Sequence, residues 1–150
     1  MLLEAIYHRP KLNWCYAYDE HSVHLRIRTK KNDITTVATL AGDKYAWSQT
    51  MKKVPMNKLT SDELFDYWEC EVVPPHRRLK YGFQLEHGEE KLWMTEYGFL
   101  HEPPSNPDRL FEYPYINPVD VFKTPAWVKD AIFYQIFLSG LPMVMHLLIL

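Results

Sequence analysis

Short runs of alternating apolar and polar residues, separated by polar turns, make up most of this chain. Val23, Leu25 and Ile27 alternate with His24, Arg26 and Arg28. A period of two places the first set on one face and the second on the other, which predicts a strand with one wet side. Ile34 to Leu40 forms a second run and stops at Ala41-Gly42-Asp43. Phe65 to Val73 is a third, with Trp68, Cys70 and Val72 on one side and Glu69 and Glu71 on the other, beside Tyr67. Leu79, Tyr81, Phe83 and Leu85 mark a fourth; the turn His87-Gly88-Glu89 comes next, and Lys91 to Thr95 reads as its hairpin partner. Leu3 to Tyr7 and Asn13 to Tyr18 add strands near the start. Strands at this spacing predict an all-β sandwich or barrel over residues 1–100. No segment before residue 120 keeps a helical period, and no internal repeat is visible.

The pattern changes after residue 100. Pro103, Pro104, Pro107, Pro114 and Pro118 fall close together. Proline fixes φ and removes a backbone donor, so residues 101–124 are expected to be an extended connector on the domain surface. Pro125 to Asp130 predicts one helical turn with proline near its start. Ala131 to Phe137 is nearly all apolar, as in a strand buried on both faces of a parallel sheet, and such a strand needs crossover neighbours. Residues 131–150 carry no Asp, Glu, Lys or Arg. Their length would suffice to span a membrane. Gln135, Ser139, Gly140, Pro142 and His146, and the lack of a basic flank, argue against a span.

Composition narrows the function classes. The length of 150 residues fits one domain able to bury a core without metals or disulfides. The net charge of −2 gives no basic face for nucleic acid and no polybasic membrane patch. Cys15 and Cys70 each fall in a predicted strand and read as buried free thiols, which suits a reducing compartment. The N-terminus shows no signal peptide, so a cytoplasmic location is expected. The 10 Tyr and 5 Trp exceed the usual share. Aromatics favour strands and cross-strand packing, and they also suit surfaces that receive flat ligands such as sugars.

Catalytic chemistry is missing from the pattern. The carboxylates of Ser61-Asp62-Glu63 and Gly88-Glu89-Glu90 sit in turns and read as solvated surface. His21 and His24 have no cysteine or carboxylate at metal-ligand spacing, so no metal site is expected. There is no glycine-rich phosphate loop and no nucleophile elbow.

Several stretches resemble one family. Trp127 to Phe137 is similar to the first strand of the catalytic barrel in the α-amylase superfamily. The nearest likeness is to the cyclomaltodextrinase, neopullulanase and maltogenic amylase group. Leu3 to Arg9, Tyr16 to Asp19, Thr29 to Asp33, Gly42 to Trp47, Leu64 to Trp68 and Arg78 to Phe83 resemble the module that precedes that barrel. The resemblance implies an immunoglobulin-like β-sandwich, classed with starch-binding modules. After it come the proline-rich connector and a barrel-strand stub at 125–137.

In the family that first barrel strand runs on into Pro-Glu-Arg-Phe-Ala-Asn-Gly-Asp, whereas here it runs into Leu138-Ser139-Gly140-Leu141-Pro142-Met143-Val144-Met145. The genetic code permits CTG AGC GGT TTG CCA ATG GTG ATG for these residues, and that string, read after one added C, spells the family string. Residues 138–150 are therefore expected to be a frameshifted tail, and sequencing the gene past codon 150 checks this. Glycoside hydrolysis needs two placed carboxylates. The family supplies them from late barrel strands that are not present, so the chain is expected to be inactive alone. Its calcium-type ligands begin around the missing Asn-Gly-Asp, so calcium belongs to the full-length enzyme and no cofactor is expected here.

The resemblance also implies partners. These are an α-glucan or cyclodextrin, the module's own catalytic domain, and a second subunit whose active-site mouth the module narrows. It assigns Tyr45 and Trp47, after the Gly42-Asp43 turn, to contact with carbohydrate or with the partner's active site. The alternative reading is a tail-anchored β-sandwich interaction protein.

Overall fold

Val23, Leu25, Ile27 and Thr29 are all fully buried, and His24, Arg26 and Arg28 lie half-exposed on the opposite face. This alternation builds β2 (Val23–Lys30), the centre of one sheet in the computed structural model, which describes residues 1–133. β2 pairs antiparallel with β1 (Cys15–Ala17) on one side and β6 (Phe65–Val72) on the other; β5 (Asn57–Ser61) closes the far edge of β6. The second sheet contains β4 (Lys52–Pro55), β3 (Thr36–Gly42), β7 (Leu79–His87), β8 (Glu90–Thr95) and β9 (Gly98–Leu100), in that order. Both sheets are antiparallel, and the fold is an immunoglobulin-like all-β sandwich.

The core lies between the sheets. Tyr81, Phe83 and Leu85 from β7 meet Leu25 and Ile27 from β2 and Trp68, Cys70 and Val72 from β6 in one buried cluster. Its polar atoms are paired, as burial requires. The Trp68 indole Nε1 donates to Thr29 Oγ1 at 3.0 Å, and Thr39 Oγ1 and Cys70 Sγ share a hydrogen bond of 3.3 Å between the sheets. Cys15 and Cys70 are free and buried, and burial pushes both thiols up to about 11. At neutral pH they stay protonated and behave as small hydrophobes.

The hairpin after β7 turns at Gly88, which takes φ +59° with His87 paired to Glu90. Glycine tolerates that left-handed value at no steric cost. The chain changes sheets at buried Met56, whose amide donates to the Val37 carbonyl, so β4 closes one sheet and β5 the other. These edges carry Lys52, Lys53, Pro55 and Lys58, and β5 has a register shift between Lys58 and Thr60. Charge, proline and irregularity discourage strand addition at such edges.

Three expectations need correction. The first strand is not a strand: Leu3–Ala5 forms a 3₁₀ turn, and only Tyr7 bridges β2, through Arg28. Leu2 and Leu3 are exposed while Ala5 and Ile6 are both buried, so the alternation that a strand needs is absent. Nearby, Leu12–Trp14 is also a 3₁₀ turn, and the predicted strand shortens to β1.

The second correction concerns the proline-rich connector. Phe111–Tyr113 forms a strand, β10, paired with Leu79 to Tyr81 of β7. Leu110 and Ile116 are fully buried. The sandwich therefore extends past residue 100. Residues 111–113 lie between prolines but keep their own amide hydrogens, so they can join a ladder. β8 pairs β7 from Phe83 onward and β10 pairs it up to Tyr81, which leaves Gly82 at the handover. A Cβ there would lie 2.8 Å from Leu110 Cδ2 and 3.1 Å from the Met94 carbonyl oxygen. Gly82→Ala is expected to cost about 1–3 kcal/mol as an overpacked core position, measurable by urea unfolding; unchanged stability would mean that β10 shifts freely.

The third correction is local. Ala126–Asp130 forms a 3₁₀ turn after Pro125, close to the expected helical turn. Ala131, Ile132 and Phe133 continue without regular structure, and Ile132 and Phe133 are exposed rather than buried on two faces. The rest of the expected barrel strand and the 138–150 tail lie outside the described residues. Among the described residues no helix is long and apolar enough to cross a membrane.

Candidate functional site

The segment between β3 and β4 is a short polar turn locked from beneath. Asp43 is fully buried. Its Oδ1 accepts the amides of Tyr45 and Ala46 at 2.9 and 3.2 Å, and its Oδ2 accepts Arg78 Nε at 3.0 Å. Its own amide donates to Thr50 Oγ1, and that hydroxyl donates in turn to the Ala46 carbonyl. Burial alone would raise the Asp43 carboxyl, but the Arg78 and backbone hydrogen bonds outweigh it and hold it below the usual carboxylate range. An Asp in this position mimics a backbone turn, and here the charge pair makes that turn rigid.

Tyr45 and Trp47 both rise from this turn, and their exposure differs. Tyr45 is 77% exposed, with the Arg78 guanidinium 5.0 Å from its ring centroid. Trp47 opens a four-residue helix, Trp47–Thr50, and is half-buried. Its indole lies on Gly42: a Cβ on Gly42 would sit 2.8 Å from Trp47 Cε3. The turn thus presents one exposed ring, flanked by Arg78 and Lys44, and one ring seated on the end of β3.

A cleft of about 510 Å³ opens beside that short helix, lined by its Gln49 and Thr50. Gln49, Lys52 and Glu71 stand around it, and Val54, Val73 and Pro75 supply apolar walls, with Gly42 shared with the Trp47 seat. Its size is within the range of small-ligand clefts. No motif or period in the sequence points to this cleft. Its walls come from two separate stretches, within residues 41–54 and 71–79, that only the folded chain brings together.

The outer face of the β1-β2-β6-β5 sheet carries further aromatics, and these are engaged by their neighbours. The Arg28 guanidinium lies 4.0 Å from the Phe65 ring centroid and 5.2 Å from that of Tyr7, and Arg26 covers Tyr16 while pairing with Glu69. His24 stacks on Tyr18 at 4.4 Å. His21 lies in a separate turn, where its backbone amide donates to Asp19 Oδ1. Among the described residues no three of His, Cys, Asp and Glu gather as a metal site would require.

The family described as alpha amylase, N-terminal ig-like domain, matches residues 1–117. The chain belongs to this family. The match runs through β10 and Ile116, so the ig-like domain includes the last strand that the structure shows. A cyclomaltodextrinase from Bacillus sp is 74% identical over 137 residues, covering 91% of this chain and 25% of the relative. The intracellular maltogenic amylase of Bacillus subtilis (strain 168) is 37% identical over 142 residues, covering 89% of this chain and 24% of the relative. A solved cyclomaltodextrinase structure superposes with a TM-score of 0.86 at 72% identity, covering 89% of this chain and 23% of that one. The chain thus spans about a quarter of the length of these relatives.

Proposed function

We propose that this chain is the N-terminal α-glucan-binding and dimer-forming module of an α-glucan hydrolase acting on cyclodextrin, pullulan or starch. The observation that carries the reading is the Asp43 turn, which holds the exposed Tyr45 ring beside the seated Trp47. Rigid aromatic rings lose little side-chain entropy on binding, and their faces match the apolar faces of glucose rings. The relatives named cyclomaltodextrinase, maltogenic amylase and neopullulanase support the substrate class. In this reading the hydrolytic carboxylates and any calcium belong to the barrel of the whole enzyme, and Tyr45 and Trp47 narrow the active-site mouth of a second subunit. Two buried free thiols and a relative named as intracellular support a cytoplasmic location.

Titration of β-cyclodextrin into the chain tests the reading. Tyr45→Ala and Trp47→Ala are each expected to weaken binding about tenfold, the loss of roughly 1.4 kcal/mol that one buried ring face supplies. Equal binding by the parent and both variants would remove the pair from the site.

A further inference from the structure

The cleft behind the Trp47–Thr50 helix holds the clearest unassigned chemistry on the molecule. Among the described residues the side chains of Gln49, Lys52 and Glu71 are exposed and form no hydrogen bond or ion pair with protein. They stand around one opening. One is cationic, one anionic and one a neutral amide, so the opening has no net charge and favours neither an anion nor a cation. Between them they offer both donors and acceptors, as a neutral polyol requires. The walls below, Val54, Val73 and Pro75, are aliphatic and suit the C–H face of a sugar ring.

Position adds a second argument. Gly42 both lines the cleft and seats Trp47. Trp47 opens a helix of only four residues, about 6 Å of rise, whose Gln49 and Thr50 line the cleft. We propose that the cleft is a second subsite, which takes the end of a short linear α-glucan while Trp47 meets the next rings along. This rests on the reading of Tyr45 and Trp47 as a glucan contact and extends it to residues that nothing else assigns.

The test is a backbone-amide NMR titration of the whole chain with maltotriose. Saturable shifts are expected at Gln49, Lys52, Glu71 and Val73, with a common dissociation constant. The paired substitution Gln49→Ala with Glu71→Gln is expected to weaken binding at least about fivefold, with thermal stability held within about 2 °C because both side chains are solvated. Val73→Trp, which fills the opening, is expected to abolish the cleft shifts. Shifts confined to Tyr45 and Trp47 would overturn the cleft and leave the glucan contact standing. Saturable cleft shifts with none at Tyr45 or Trp47 would uphold the cleft and remove the aromatic pair. No saturable shift anywhere would overturn both.

Discussion

Replacing Glu112 by alanine is expected to cost about 3 kcal/mol, or roughly 10 °C in melting temperature for a domain of this size. Lys80, on β7, is 5% exposed. Its ammonium lies 3.0 Å from Glu112 Oε2 on β10 and 3.3 Å from the Leu110 carbonyl. Glu112 Oε1 also accepts from Lys44, at 3.1 Å. Burial would raise the Glu112 carboxyl, but the hydrogen bonds from Lys80 and Lys44 outweigh it and hold it below the usual carboxylate range. Removing the carboxylate leaves a buried ammonium with one carbonyl. The cost is that uncompensated charge rather than the pair's own attraction. The companion variant Lys80→Met with Glu112→Ala therefore recovers most of the loss, because it removes both charges. Differential scanning calorimetry of the three proteins decides it: a double variant no more stable than Glu112→Ala would defeat the account.

Acid is expected to loosen the sandwich well above the range in which its carboxylates titrate. His8 is buried among Tyr81, Phe83 and Phe111. Its Nδ1 donates to the Arg26 carbonyl at 2.6 Å, which fixes the neutral tautomer, and its Nε2 accepts from the Tyr81 hydroxyl at 2.9 Å. Burial lowers its pKa to about 4, against a smaller opposing pull from the Arg26 carbonyl. The unfolded chain takes up this proton first, near 6.5. The stability that neutral His8 provides is thus complete above pH 6.5 and lost as pH falls towards 4, about 2 kcal/mol of it by pH 5 and about 3 kcal/mol in all.

Asp43, Asp66, Glu86 and Glu112 act in the opposite window. Their carboxyls are held below the usual range, so their contribution is present above about 4 to 4.5 and fades only below that. The difference between the parent and His8→Gln in urea unfolding from pH 7 to 5 therefore isolates His8 from the other six histidines. His8→Gln is expected to flatten that slope whatever its absolute stability. In the parent, the His8 ring resonances are expected not to titrate until near pH 4; a ring that titrates near 6.5 would contradict the burial argument.

The parts of the fold that could be read from sequence are those in which one face is buried and the other wet. β2 and β6 alternate strictly and were legible residue by residue, as was the hairpin at Gly88. β4 and β5 were not. Across them only Val54 is even partly buried, so edge strands of this kind leave no apolar period to detect. β10 was hidden for a different reason: three strand residues between prolines look like more connector. At the candidate site, Tyr45 and Trp47 could be named from the resemblance and from their place after a turn. That one would be exposed beneath Arg78 and Lys44 and the other seated on Gly42 depends on the path of the loop, which the sequence does not display. The cleft is a product of tertiary structure alone.

The late position of β10 has a consequence for the order in which the molecule can be made. Lys80 leaves the ribosome 32 residues ahead of Glu112, a delay of roughly 2 to 6 s at ordinary elongation rates. Until then β7 has a charge that belongs in the interior and no counter-charge from its own neighbours in sequence. The nascent chain can pair β2 with β6 and β3 with β7 during that interval, yet the ammonium stays in water and keeps the half of β7 around it from packing. Closure of the sandwich is therefore tied to a strand made after the others of both sheets among the described residues, and a nascent chain stalled between residues 100 and 112 is expected to be an open and aggregation-prone form of the protein.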